Sequence, residues 1–214
     1  MVAKRLSTEV RQEQVAQATL DVIAARGLAE VSVAEVARRV GVVPSALYRH
    51  FEGKEQILDA AMEMILGRLQ ANVEAVLEEE CSPLEHLKLL LDRHIRMVRE
   101  NRGIPQLLLS SDFSFHRPDR RRRIHDGIRA YLERVADIVR RAQRIGQVAP
   151  SIDAGTVSVM FLGLIQPPAV LWHMSDGDFD VAGQTDRAWP LFLRALRSSE
   201  MAEGPQARYR EHAD

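Results

Sequence analysis

Apolar residues recur at three- and four-residue spacing along most of the chain, and alternating apolar–polar runs are nearly absent. That period predicts helices and argues against a sheet. The tightest pattern lies at residues 32–51. Val33, Val36, Ala37 and Val40 share one face of a short helix, and Gly41 closes it. Leu47 and Phe51 hold down a second short helix and leave Ser45, Tyr48, Arg49 and His50 outward. Ser32-Val33-Ala34-Glu35 reads as a capping box, with Ser32 accepting from a first-turn amide and Glu35 reaching back. Pro44 fits the first turn of the second helix, where its missing N–H costs nothing.

The same period places a first helix at residues 8–26, stopped by Gly27, and a fourth at residues 54–79. A helix of about 25 residues is a rod of about 38 Å. A fifth helix spans 83–100, a short sixth spans 106–111, and a loop at 112–117 leads to a long seventh at 118–146. The eighth, 153–174, is expected to kink at Gln166-Pro167-Pro168, because prolines remove ladder hydrogen bonds. The ninth spans 185–198. Residues 1–7 read as a basic arm, and 200–214 as a disordered tail. The expected fold class is therefore all-α, with about nine helices. Residues 1–53 are expected to form a three-helix helix-turn-helix domain, and 54–199 a second helical domain.

Composition narrows the function. Of 214 residues, 46% are hydrophobic, enough for a core, and the net charge is −1, so the chain as a whole is no polyelectrolyte partner. Residues 1–54 carry eight Lys or Arg against six acids, a mild bias toward an anionic partner. Cys81 is the only cysteine, which excludes an intrachain disulfide and fits a cytoplasmic protein. No stretch approaches the roughly 18 uninterrupted apolar residues of a membrane span. No cofactor loop, nucleophile elbow or metal-ligand spacing is present. His86 and His94 lie two turns apart, too far to share one ion, and an enzyme is not expected.

A short helix carrying exposed polar and aromatic groups, held by a partner helix, is suited to a DNA major groove. The positions Ala37, Gly41, Val42, Leu47, Tyr48, His50, Phe51, Lys54, Glu55 and Leu58, in VARRVGVV, ALYRHF and GKEQIL, resemble the DNA-binding domain of the TetR family of bacterial transcriptional regulators. The resemblance implies phosphate contacts from Tyr48, His50 and Lys54. Pro44, Ser45 and Ala46, at the N-terminal end of the recognition helix, are the expected base-facing positions. Arg49 has the length for a guanine edge or a phosphate, and the helix start at Ser32 suits a phosphate. Family members often carry Ser or Thr where Val43 stands, so the side chain here supplies neither cap nor contact.

The C-terminal helices suit an apolar cavity for a small lipophilic or aromatic effector. The expected walls are Met62, Ile65, Leu69, His94, Met97, Leu108, Phe113, Ile128, Tyr131, Phe161 and Trp172. The last two helices carry surplus apolar surface, and the resemblance implies a homodimer through them. Such a dimer presents two recognition helices about 34–36 Å apart to a palindromic operator. The expected function is a ligand-released repressor, with double-stranded DNA, an effector and a second copy as partners, and no membrane. The run Arg120–Arg123 reads as a solvated turn with salt bridges, or as a site for an anionic effector or acidic partner. Two other classes compete. One is a small-molecule-binding protein or enzyme with a vestigial DNA domain, which ligand turnover, or residues 44–50 buried against the other domain, would favour. The other is an activator or architectural DNA binder without a ligand.

Overall fold

The computed structural model describes residues 8–110, 113 and 117–197, and every regular element among them is helical. The expected basic arm (1–7), most of the 112–117 loop and the 200–214 tail lie outside the described residues.

Helix α1 (Thr8–Arg26) is followed by a 3-10 turn (Leu28–Glu30) and by α2 (Val33–Val40). The capping box of α2 is only half formed. Ser32 Oγ accepts from Glu35 N–H at 3.2 Å, but the Glu35 carboxylate turns to Arg38 (2.6 Å) and Arg26 (3.3 Å). Gly41 then adopts φ 77°, which costs a residue without Cβ nothing, and the Val42 amide reaches back to Ala37 O at 2.9 Å. Helix α3 (Pro44–Leu47) is a single turn, shorter than the sequence period suggests. Beyond it the His50 and Phe51 amides both donate to Leu47 O.

Helix α4 (Lys54–Leu77) buries Ile57, Leu58, Ala61, Met62, Ile65, Leu69, Val73 and Val76, one stripe along its length. Helix α5 (Pro83–Glu100) starts in a complete Ser82/Glu85 capping box. Helix α6 (Gly103–Leu109) begins three residues before the expected start, since Pro105 sits within its first turn and forfeits no ladder bond. Helix α7 (Pro118–Arg144) follows. The expected kinked helix is two helices, α8 (Ala154–Gly163) and α9 (Gln166–Met174), with both prolines in the first turn of α9. Helix α10 (Val181–Arg197) starts earlier than expected because Asp180 caps it, accepting from Gly183 N–H at 2.9 Å.

Helix α1 packs on α4 and α6, while α7 packs on α4, α5 and α8. One apolar cluster runs from Val15 in α1 to Leu196 in α10, and α4 is the element that carries it between the two ends.

Candidate nucleic-acid interface and ligand cavity

The α2–α3 unit is held from beneath. Leu47 and Phe51 are buried, while Pro44, Ser45, Tyr48, Arg49 and His50 are exposed and Ala46 is half-buried. Tyr48, at 59% exposed, is not a core aromatic. Val43 is the N-cap of α3, makes no side-chain cap bond and stands 65% exposed. Ser32 is exposed at the start of α2, with its hydroxyl already accepting one amide. Arg38 and Arg39 pair with Glu35 and Asp21 on the surface.

Lys54 also makes contacts within the fold. Its ammonium donates to the carbonyl oxygens of Leu28 (2.9 Å) and Ala29 (3.1 Å), tying the 3-10 turn to the start of α4. Two of the three ammonium donors are thus engaged, leaving one for a phosphate.

Behind this unit, α4, α5, α6, α7 and the α8–α9 segment line a cavity of 290 Å³. Eight of the eleven expected wall residues line it: Met62, Ile65, Leu69, His94, Met97, Leu108, Ile128 and Tyr131. Three do not. Phe113 lies under the Arg120 guanidinium, 4.3 Å from ring centre to Cζ. Phe161 packs on Phe192 in the core, with ring centres 6.3 Å apart. Trp172 lies beneath the Arg102 guanidinium at 5.2 Å, outside the cavity. The break at Leu164–Ile165 resets the helix phase, so this wall is supplied by Leu162, Ile165, Gln166 and Ala169 instead.

The cavity holds one buried polar pair. His94 Nδ1 lies 3.1 Å from Tyr131 Oη, with the rings edge to face at 85°. Burial alone pushes the His94 pKa down to about 4 and pushes the Tyr131 phenol up. Both groups are therefore neutral at neutral pH, and their mutual hydrogen bond satisfies one polar atom on each.

The Arg120–Arg123 run is neither a uniformly solvated turn nor an open anion site. Arg120 is 2% exposed. Its Nε donates to Asp59 at 2.6 Å and its Nη2 to Glu55 at 2.8 Å, both on α4. Arg123 reaches Asp59 (3.1 Å) and Glu63 (3.6 Å), and Arg117 reaches Glu55 (3.3 Å). Arg121 and Arg122 are exposed. Burial opposes the charge on Arg120, but its hydrogen bonds to Asp59 and Glu55 outweigh it and raise its pKa. Burial likewise works against a charged Glu55, yet Arg120 and Arg117 hold it below the usual carboxylate range. The start of α7 is thus clamped to the first turns of α4, beside Lys54.

A second junction lies at Gly103. A Cβ there would overlap the carbonyl oxygen of Leu20, so α6 meets α1 backbone to backbone. A third is polar: Arg68 of α4 donates to Gln17 of α1 (2.9 Å) and to Asn101 after α5 (3.3 Å). Sequence periodicity singles out none of these residues, because each acts through a partner distant in the chain. Among the described residues no three His, Cys, Asp or Glu side chains converge as a metal site requires.

An exposed recognition segment, its scaffold, and a long helix leading to a second helical domain with a neutral cavity define a DNA-binding transcription regulator. Residues 16–61 match the family model described as "Bacterial regulatory proteins, tetR family", and residues 80–196 match "Tetracyclin repressor-like, C-terminal domain". The second match alone spans more than half of the chain, and the chain belongs to the TetR family of bacterial transcriptional regulators; it is not an enzyme. The chain is similar to the fatty acid metabolism regulator protein of Bacillus subtilis (strain 168), 20% identical over 185 residues that cover 86% of this chain and 95% of that protein. It is also similar to the nucleoid occlusion factor SlmA of Vibrio vulnificus (strain YJ016), 25% identical over 193 residues that cover 87% and 96%. Among solved structures, FadR from Bacillus subtilis in complex with stearoyl-CoA superposes with a TM-score of 0.72 at 21% identity, covering 85% of this chain and 97% of that one.

Proposed function

We propose that the chain is a homodimeric repressor that leaves a palindromic operator when an acyl thioester fills its cavity. The observation that carries this reading is the uncharged cavity whose walls include α4 and α6, both packed on α1. Its lining is mostly aliphatic, with Tyr131 and His94 the only aromatic rings among the described residues, which favours an acyl chain over a flat aromatic effector. A volume of 290 Å³ sits at the lower end of the roughly 300–1,000 Å³ of ligand pockets. The relative crystallised with stearoyl-CoA supports the same class.

The domain boundary falls at residues 53/54, with α4 serving both sides. Dimerisation through the last helices is supported by Val159, Met160, Leu171, Met174 and Leu191, large apolar side chains left exposed on α8, α9 and α10. The segment Ala154–Met174, with mean hydropathy 1.5, is apolar enough by length and composition for a membrane span. Its division into two helices with Gln166 and two prolines at the second start fits a helix-packing face better. Burial of residues 44–50 would favour the vestigial-domain alternative, and all but Ala46 and Leu47 are exposed.

The test is fluorescence anisotropy of the full-length protein on DNA from upstream of its own gene, with and without dodecanoyl-CoA. Sequence-specific binding reversed by the thioester is expected. Binding no tighter than to random DNA sinks the operator, and tight binding indifferent to the thioester sinks the effector class.

A further inference from the structure

Met97 faces two spaces. On one side it lines the apolar cavity, and on the other it lines an open groove of 530 Å³ between α1, α4 and α5. The groove has the opposite chemistry. Its rim carries Arg68, Arg93 and Arg96 against one acid, Glu100, and its floor carries Gln17 and Asn101. Arg93, Arg96 and Glu100 lie at helical spacing along one face of α5.

Two of the three arginines are not consumed by the fold. Among the described residues Arg96 has no hydrogen-bond or ion-pair partner, and Arg93 has only Glu79 at 3.9 Å. Arg68 is held loosely at one end, 3.6 Å from Glu13, while it donates to Gln17 and Asn101. Asn101 is fixed in turn by its amide, which donates to Met97 O at 2.8 Å. Guanidinium groups in a cleft match phosphate oxygens in geometry and charge. The partition between groove and cavity is a methionine, an unbranched side chain that changes shape easily.

Resting on the acyl-thioester reading above, we propose that this groove is the head-group subsite of the effector. It takes the phosphates of an amphiphile whose chain passes Met97 into the cavity, with Arg93 and Arg96 as the ligating residues. Because Gln17 and Glu13 belong to α1, an anion that draws Arg68 toward the groove loosens a tie to the DNA-binding unit. The head group thus contributes to release as well as to affinity.

The experiment is calorimetric titration of the full-length protein with dodecanoyl-CoA and, separately, with dodecanoate. It uses wild type, the double variant R93A/R96A and the charge-retaining R93K/R96K. Wild type is expected to bind the thioester on the order of tenfold tighter than the free acid, the scale of one charge-assisted hydrogen bond. R93A/R96A loses that advantage and binds dodecanoate as before, and R93K/R96K recovers part of it. Thioester affinity unchanged in R93A/R96A, or wild type binding both compounds equally, overturns the subsite while leaving the cavity reading intact. Wild type binding neither compound overturns the effector class, and the subsite with it.

Discussion

Gly103 stands directly against the backbone of Leu20, and the space between them does not admit a Cβ. The contact joins a helix that lines the cavity to the first helix of the DNA-binding unit, so any displacement of α6 is felt by α1. Gly103→Ala forces the two backbones apart and is expected to destabilise the fold by about 1–3 kcal/mol, the usual cost of overpacking. Gly67, within α4 and with open space where its Cβ would go, is the control. Gly67→Ala is expected to stabilise by up to about 1 kcal/mol through helix propensity. Urea denaturation of the two variants checks both signs.

Arg120→Met leaves Asp59 and Glu55 without the buried guanidinium between them. Removing one partner of a buried pair costs about 3–5 kcal/mol; the half-exposed side of Glu55 puts the expected loss at the lower end. The clamp also has an acid signature. Glu55 titrates below its ordinary 4.5, so its contribution is present above that pH and fades as pH falls through the lower folded value. Arg120→Met is expected to flatten that part of the stability–pH curve, read by thermal unfolding between pH 3 and 6.

His94 also loses stability toward acid, but over a higher window. Its folded pKa of about 4 lies below the ordinary 6.5, so the unfolded chain binds a proton that the folded one refuses. Stability is complete above pH 6.5 and declines as pH falls toward 4, by about 3 kcal/mol in total. His94→Gln removes the titration and keeps a group able to meet the Tyr131 hydroxyl. The difference between wild type and variant is expected to shrink or reverse across that interval. A slope that survives the substitution assigns it to another group.

On DNA, Arg49→Ala and Tyr48→Ala separate charge from contact. Loss of one phosphate-paired cation lowers the log–log salt slope by about one. Tyr48→Ala is expected to weaken binding to all sequences with the slope unchanged. Anisotropy titrations at several salt concentrations read both quantities.

Leu171→Glu with Met174→Glu places charges on the exposed apolar side of α9, where the two residues stand 47% and 75% exposed. The double variant is expected to run as a monomer in light scattering, to keep its helical content and to lose operator affinity. A dimer that persists moves the interface elsewhere.

The parts of the site legible in the sequence are those where one helix runs without interruption. On α4, α5 and α7 the apolar period holds its phase, and every residue expected there as cavity wall faces the cavity. On α8 and α9 the period continues through a break, so Phe161 and Trp172 land elsewhere while Gln166 enters the rim. The recognition segment was legible because Leu47 and Phe51 dictate which side is outward. Lys54 was not, since its partners are two backbone carbonyls with no sequence signature. Arg120 reads as one arginine among four. Its burial depends on Asp59, sixty-one positions away.

The neutral His94–Tyr131 pair gives the cavity no ion with which to choose its guest. For an apolar chain entering it, discrimination is left to length. Each methylene taken from water contributes about 0.8 kcal/mol, nearly fourfold in affinity. On the acyl-chain reading proposed above, a carbon beyond what 290 Å³ admits would push wall atoms from their rotamers or leave the cavity, and the gain per methylene would fall. The pocket would then act as a ruler.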